Sequence, residues 1–265
     1  MNNTFSFSRL GLLIKKQWFD NSRLYILSAL ALIGLLTLIF TIWWLANRYD
    51  YRFSEASTNI IFLIVLFVSG LVFASTTFGM LGDKAKGIYW LNVPATALEK
   101  LVCGFFYSCF VFMILYITSF WLIKHITFFL IELNPKNELI RTTHNDIFER
   151  VVKPNLLYTF FALQALFMLG SVYFEKFSFI KTILIILFIS FLFVMFCMFL
   201  GNNLLPPNFG VKGFSEFRVY DDNYQGTKIY HLASWIGDLI ESLAKFIWVP
   251  VFLTVAYFRL KEKEI

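Results

Sequence analysis

Residues 24–46 read LYILSALALIGLLTLIFTIWWLA, a run without a single charged side chain. A hydrocarbon core about 30 Å thick is crossed by roughly 20 helical residues rising 1.5 Å each. The run meets that length, so its preferred solvent is lipid. The rest of the chain agrees. Of its 265 residues 58% are hydrophobic and only 15% charged, with a mean hydropathy of +0.69, too apolar for a soluble domain of this size. The 34 phenylalanines suit lipid-facing and helix-packing positions and carry no function by themselves.

Similar runs follow at 59–80, 101–123, 155–174, 179–201 and 233–258. The expected fold is therefore all-α: a polytopic membrane protein with six transmembrane helices in a single domain, 1–265. The mixed residues before the first run argue for a retained signal anchor rather than a cleaved signal peptide. The sixth run differs from the others, because Asp238, Glu241 and Lys245 lie in its first half. At i, i+3 and i+7 they share one side of a helix, with Glu241 and Lys245 in the favourable i, i+4 order. A charge at the centre of a lipid-facing helix costs roughly 2.5–3.5 kcal/mol. This face is thus expected to meet protein or water near the outer leaflet, as an ion pair or as a substrate contact. The segment 201–235 before it reads as a re-entrant piece or a surface cap.

Lysine and arginine set the orientation, since they are retained on the cytoplasmic side near span ends. With six spans both termini share a side. That side holds Arg9, Lys15, Lys16, Arg23, Lys84, Lys86, Lys100, Lys176, Lys181, Arg259, Lys261 and Lys263 in short segments. The opposite side spreads its basic residues, Lys124 among them, over longer loops such as 132–154. Both termini are expected inside. The net charge of +6 then reports topology and not nucleic-acid binding.

No resident chemistry is visible. Cys103, Cys109 and Cys197 fall within spans and form no disulfide framework. His125, His144 and His231 lack the i, i+4 spacing of a helical zinc site. GDKAKGIY at 82–89 mimics a phosphate loop, but Gly87 is followed by Ile88 and Tyr89 where lysine and a hydroxyl are required. Neither a G-x-S-x-G elbow nor an H-E-x-x-H pair is present. The chain is expected to be no enzyme, with no cofactor or metal of its own.

Two segments interrupt the apolar pattern. In FSFSRLGLLIKKQWFDN, before the first span, Phe7, Leu10, Ile14 and Trp18 share one helical face opposite Arg9, Lys16 and Asp20. This predicts an amphipathic interfacial helix, whether a membrane-surface anchor or a partner-docking element. The second interruption is GDKAKGIYWLNVPATALEKL, 82–101. Its end is a capping box, Thr96 with Glu99, which starts the third span near Ala97. Pro94 breaks the chain before it. Upstream, Lys84 and Lys86 occupy one part of a short amphipathic helix, and Ile88, Trp90 and Leu91 another. An ordinary interfacial loop with an aromatic anchor accounts for these residues as well.

In combination, RLGLLIKKQW before the first span, six spans, and KGIYWLNVPATALEKL between the second and third resemble the permease subunits of ABC-2 type exporters, and most closely the short permeases of Bacteroidota. Gly87, Leu91, Pro94, Thr96, Glu99 and Lys100 occupy the places of that family's pattern. Ala85 departs from it, standing where an acidic residue is usual. The resemblance implies a dimer, with a second copy or a sister permease, in the bacterial cytoplasmic (inner) membrane. It also implies a separate ATPase subunit that binds ATP and Mg. Residues Lys84, Lys86, Ile88, Trp90 and Leu91 would form the coupling helix against that subunit, and the N-terminal amphipathic helix would flank it. Relatives export polysaccharides, lipids, peptides and antibiotics. The alternative is a non-transporting assembly, immunity or sensory component that binds partners through its cytoplasmic loops. A third reading, an intramembrane enzyme acting on lipid, would have only the sixth-span polar group to work with.

Overall fold

The computed structural model describes residues 5–82, 84–141, 153–174, 176–204, 209–212, 216–220, 227–231 and 233–263. The chain is mainly helical and forms two compact units, 1–179 with 252–265, and 180–251. Five helices are long and apolar enough to cross a membrane, and a bent pair at the end of the chain makes a sixth if it counts as one span.

In the first unit, α1 (Phe7–Asn47) is followed by β1 (Arg52–Ser54) and α2 (Glu55–Thr76). A 3-10 turn, Gly79–Gly82, leads into α3 (Lys84–Leu91). The third span is α4 (Ala97–Phe105), a π-helical turn (Phe106–Val111) and α5 (Phe112–Glu132). Then come β2 (Glu138–Ile140) and α6 (Lys153–Tyr173). The second unit holds α7 (Ser178–Leu204) from Ile180 onward, β3 (Phe209–Lys212), β4 (Glu216–Tyr220), β5 (Thr227–His231) and α8 (Ser234–Phe246). α9 (Trp248–Lys263) returns to the first unit from Phe252.

Several expectations need correction. The amphipathic segment is no separate interfacial helix, because α1 is unbroken over 41 residues and about 60 Å. Its polar residues at the join bond within the helix instead of ending it: Asn21 donates to the Gln17 carbonyl and Ser22 to that of Phe19. Gly and Pro, which would have stopped it, are absent there. The mainly helical chain is consistent with the expected all-α class, and short strands accompany the helices. β1 and β2 pair in parallel, and β3, β4 and β5 form an antiparallel meander within the segment read as a re-entrant piece or cap. The third span runs to Glu132, nine residues beyond the expected Ile123. Lys124 therefore belongs to a helix and not to a loop. Finally, the segment expected as one sixth span is two helices, α8 and α9, with a break at Ile247.

Aromatic rings fill the core between α1, α2 and α5. Phe40 meets Phe120 edge to face, Phe62 packs on both Tyr116 and Phe120, and Phe73 stacks on Phe112. Tyr116 is fully buried and its hydroxyl donates to the Phe62 carbonyl at 2.7 Å, so its polar tip is not stranded in the apolar interior. Beyond the spans, Phe53 of β1 is buried against Trp43 and fixes the α1–α2 connection. At this end Lys124 pairs with Glu55 at 2.7 Å, with side chains only 11% and 24% exposed. The ammonium also lies over the rings of Trp121 and Phe128.

A second cluster forms at the other end of the spans. Phe78, Ala97, Leu101, Met168, Val172, Ala256 and Leu260 draw together the ends of α2, α4, α6 and α9. Residue 104 must lack a side chain here, since a Cβ would come within 2.9 Å of the Phe78 ring. In the second unit the apolar window of α7 has no buried residue. A helix apolar on all sides is one whose solvent is lipid.

The clasp between α2 and α5 is testable. Breaking a buried pair by removing one partner costs about 3–5 kcal/mol, and partial exposure reduces this to about 1–3. Lys124→Met should lower the thermal unfolding midpoint of the detergent-solubilised protein by several degrees. Lys124→Met combined with Glu55→Gln should regain more than half of that loss, which a double-mutant cycle measures.

Candidate functional site

The site is built where α1 begins, where α3 hangs between the second and third spans, and where α4 starts. Thr96 and Glu99 form the capping box expected of them. The Glu99 amide donates to Thr96 Oγ1 at 3.3 Å, and Glu99 Oε2 accepts from the Thr96 amide at 2.8 Å. The other carboxylate oxygen does something the local motif does not specify. Oε1 accepts from the amide of Ser6, the N-cap residue of α1, at 2.8 Å, and stands 3.1 Å from an Arg9 guanidinium nitrogen.

One carboxylate thus serves the N-termini of two helices, where dipoles and unpaired N–H groups both favour negative charge. The Glu99 side chain is 0% exposed while that of Arg9 remains 33% exposed. A buried carboxylate is costly unless fully bonded, and these donors account for its lone pairs.

Beneath this knot, Leu13, Cys103 and Tyr107 make a small core with Leu10, Ile14, Val93 and Ala95 around it. The Tyr107 hydroxyl donates to the Ile14 carbonyl at 2.8 Å. Tyr25 stacks between Trp18 and Tyr107, and its hydroxyl accepts from Gln17. The predicted stripe of Phe7, Leu10, Ile14 and Trp18 is therefore split. Leu10 and Ile14 pack inward around Leu13, whereas Phe7 and Trp18 are exposed.

α3 is mounted on this platform. Gly87 is buried against the backbone of Met80 and Leu81. Trp90 turns inward, meeting Phe78 edge to face at 5.4 Å, with the ammonium of the buried Lys100 5.3 Å from its ring. Ile88 and Tyr89 point away and are each 62% exposed. Lys16 of α1 sits 4.7 Å from the Tyr89 ring and links the two helices. Lys84, Lys86 and Leu91 lie on α3, and their side chains fall outside the described residues.

The expected residues are thus brought together in part. The start of α1 and the 82–101 segment meet, but Trp90 faces the protein's own core and Tyr89 takes the outward place. Asp238, Glu241 and Lys245 belong to α8 in the other unit. There Lys245 and Glu241 form an exposed i, i+4 pair at 2.6 Å. Among the described residues no group of His, Cys, Asp and Glu is arranged to hold a metal ion. Sequence reasoning missed Tyr89, Lys16 and the second role of Glu99. The only available signal for the last was that Arg9 and Glu99 are opposite charges each close to a helix start.

No family model matches this chain. Neither a curated protein nor a solved structure matches it.

If Glu99 holds the start of α1, losing it should free that end. Glu99→Ala is expected to make residues 5–10 at least tenfold more sensitive to limited proteolysis in detergent micelles. Thr96→Ala removes only the local cap, worth about 1 kcal/mol, and should leave that cleavage rate nearly unchanged.

Proposed function

We propose that this chain is the permease subunit of an ATP-driven exporter of the ABC-2 type. On this reading it lies in the bacterial cytoplasmic membrane with both termini inside. It works as a dimer with a second copy or a sister permease, and ATP and magnesium bind a separate ATPase subunit. No reaction step belongs to this chain.

The observation that supports this reading is the mounting of α3. A helix that only anchored a loop at the membrane surface would need an aromatic residue at the interface and little else. Here the tryptophan is spent inward, on Phe78 and Lys100, and the outward positions carry Ile88 and Tyr89. A short helix with a fixed inner face and two exposed apolar side chains, Ile88 and Tyr89, suits docking into a groove. Through Trp90 and Phe78, motion of α3 reaches the cluster that joins α2, α4, α6 and α9. Through Lys16 and Tyr89 it reaches α1. ATP-driven closure of the partner would therefore pull on several spans at once.

The test is purification of the native complex from its membrane with identification of its subunits, for the natural chain and for Ile88→Asp and Trp90→Ala. An ATPase should co-purify stoichiometrically with the natural chain. Ile88→Asp should lose at least nine-tenths of it with insertion and thermal midpoint unchanged. Trp90→Ala should lower the midpoint as well, because it removes a packed ring. Retention of the ATPase by Ile88→Asp would leave α3 a membrane-surface connector. Orientation is checked with single cysteines: one at Asn137 should react with impermeant reagent in intact cells, and one at Ile88 only after permeabilisation.

A further inference from the structure

Gln164 lies on α6 within a candidate span and is fully buried, and among the described residues neither its amide nitrogen nor its carbonyl oxygen has a hydrogen-bond partner. Primary amides are among the most costly groups to bury unpaired, and in a membrane the surrounding hydrocarbon offers no substitute. The rings of Phe160 and Phe112 flank the site and offer the N–H groups only weak π acceptors. The carbonyl oxygen finds no donor among the described residues.

Two further features converge on the same place. On α2, a Cβ at Gly70 would fall 2.5 Å from Gln164 Nε2, 3.0 Å from Phe160 and 3.1 Å from Phe112. A side chain at residue 70 would push the Gln164 carboxamide aside and press on both rings, so glycine gives the α2–α6 contact its closest form. Phe112 is the residue that ends the π-helical turn of the third span. Such a turn accommodates one extra residue and can shift register, which would withdraw or advance the Phe112 ring.

We propose that the α2–α6 contact at Gly70 is a closed seam that opens within the membrane, and that the Gln164 carboxamide then hydrogen-bonds water admitted to the gap. The closed packing is bought at the expense of an unsatisfied amide, so it is poised against an open form in which that amide is solvated. Gly70 permits closure, and the π turn gives the adjoining ring somewhere to go. The proposal is independent of the exporter reading. It concerns one chain and needs no ATPase, so either can fail without the other.

Two measurements on the full-length protein test it. The first uses a chain in which Cys103, Cys109 and Cys197 are alanine, carrying either Gln164→Cys or Ala165→Cys, reconstituted in lipid vesicles. Ala165 is equally buried and at the same depth. A thiol in a dry interior stays protonated and inert, so reaction with a water-soluble methanethiosulfonate reports water. Gln164→Cys should react at least tenfold faster than Ala165→Cys, and equal rates would overturn the proposal. The second measurement needs no cysteine. Gln164→Met keeps the length of the side chain and removes its polar atoms, so it should raise the thermal unfolding midpoint in detergent by several degrees. An unchanged or lowered midpoint would mean that the carboxamide is already satisfied in the closed packing, and the proposal would fall.

Discussion

The Glu99 carboxylate is the constraint on which the arrangement of the first unit turns. It closes the capping box of α4, accepts from the N-cap amide of α1 and pairs with Arg9. Each of these bonds satisfies a group that would otherwise be exposed or stranded at a helix terminus. Because all end on one buried side chain, the starts of two helices cannot move apart without leaving a charge unpaired in a poorly solvated place. The next residue, Lys100, holds Trp90 and with it α3. Residues 96–100 thus fix the relation of three helices through a cap, an ion pair and a cation–π contact.

The third span is held at its other end too, where Lys124 meets Glu55. Between the two clasps Tyr107 bonds the backbone of α1 and Tyr116 that of α2. A helix tied at both ends and twice along its length has little freedom to slide or rotate as a rigid rod. The π-helical turn at Phe106–Val111 is where it has slack, since the wider turn absorbs a residue without releasing either end. Any movement of this span is therefore expected to be a local change of winding near Phe112, with the ends fixed.

What could be read from the sequence was local. The apolar runs mark the spans because chain length against bilayer thickness is a one-dimensional test. Thr96 and Glu99 mark the start of α4 because a capping box is contained in four residues. Pro94 separates α3 from α4 for a reason internal to its own ring. What could not be read depends on partners far away in the chain. Arg9 and Glu99 each suit a helix start, yet nothing in their neighbourhoods says that they meet. Trp90 and Ile88 are both apolar residues on a short helix, and only the position of Phe78 decides which turns inward. The join between the amphipathic segment and the first span failed as a boundary because Asn21 and Ser22, good capping residues, spend their side chains on carbonyls of the preceding turn.

Charge and polarity within the spans point to different things here. Of the three charged residues that stood out in the sixth run, Glu241 and Lys245 pair on one face of α8, and Lys124, read in the sequence as a loop residue, pairs with Glu55. A paired charge has met its need within the fold, and its presence in an apolar stretch then says little about function. A neutral amide attracts less notice in a hydropathy profile, because its transfer cost is smaller than that of an ion. Once buried it has fewer ways out, since it can neither shift its protonation state nor reach the interface as a long lysine does. Gln164 is fully buried beside Gly70, with both polar atoms unpaired among the described residues. The unmet polar requirement in this part of the protein thus falls on an uncharged residue.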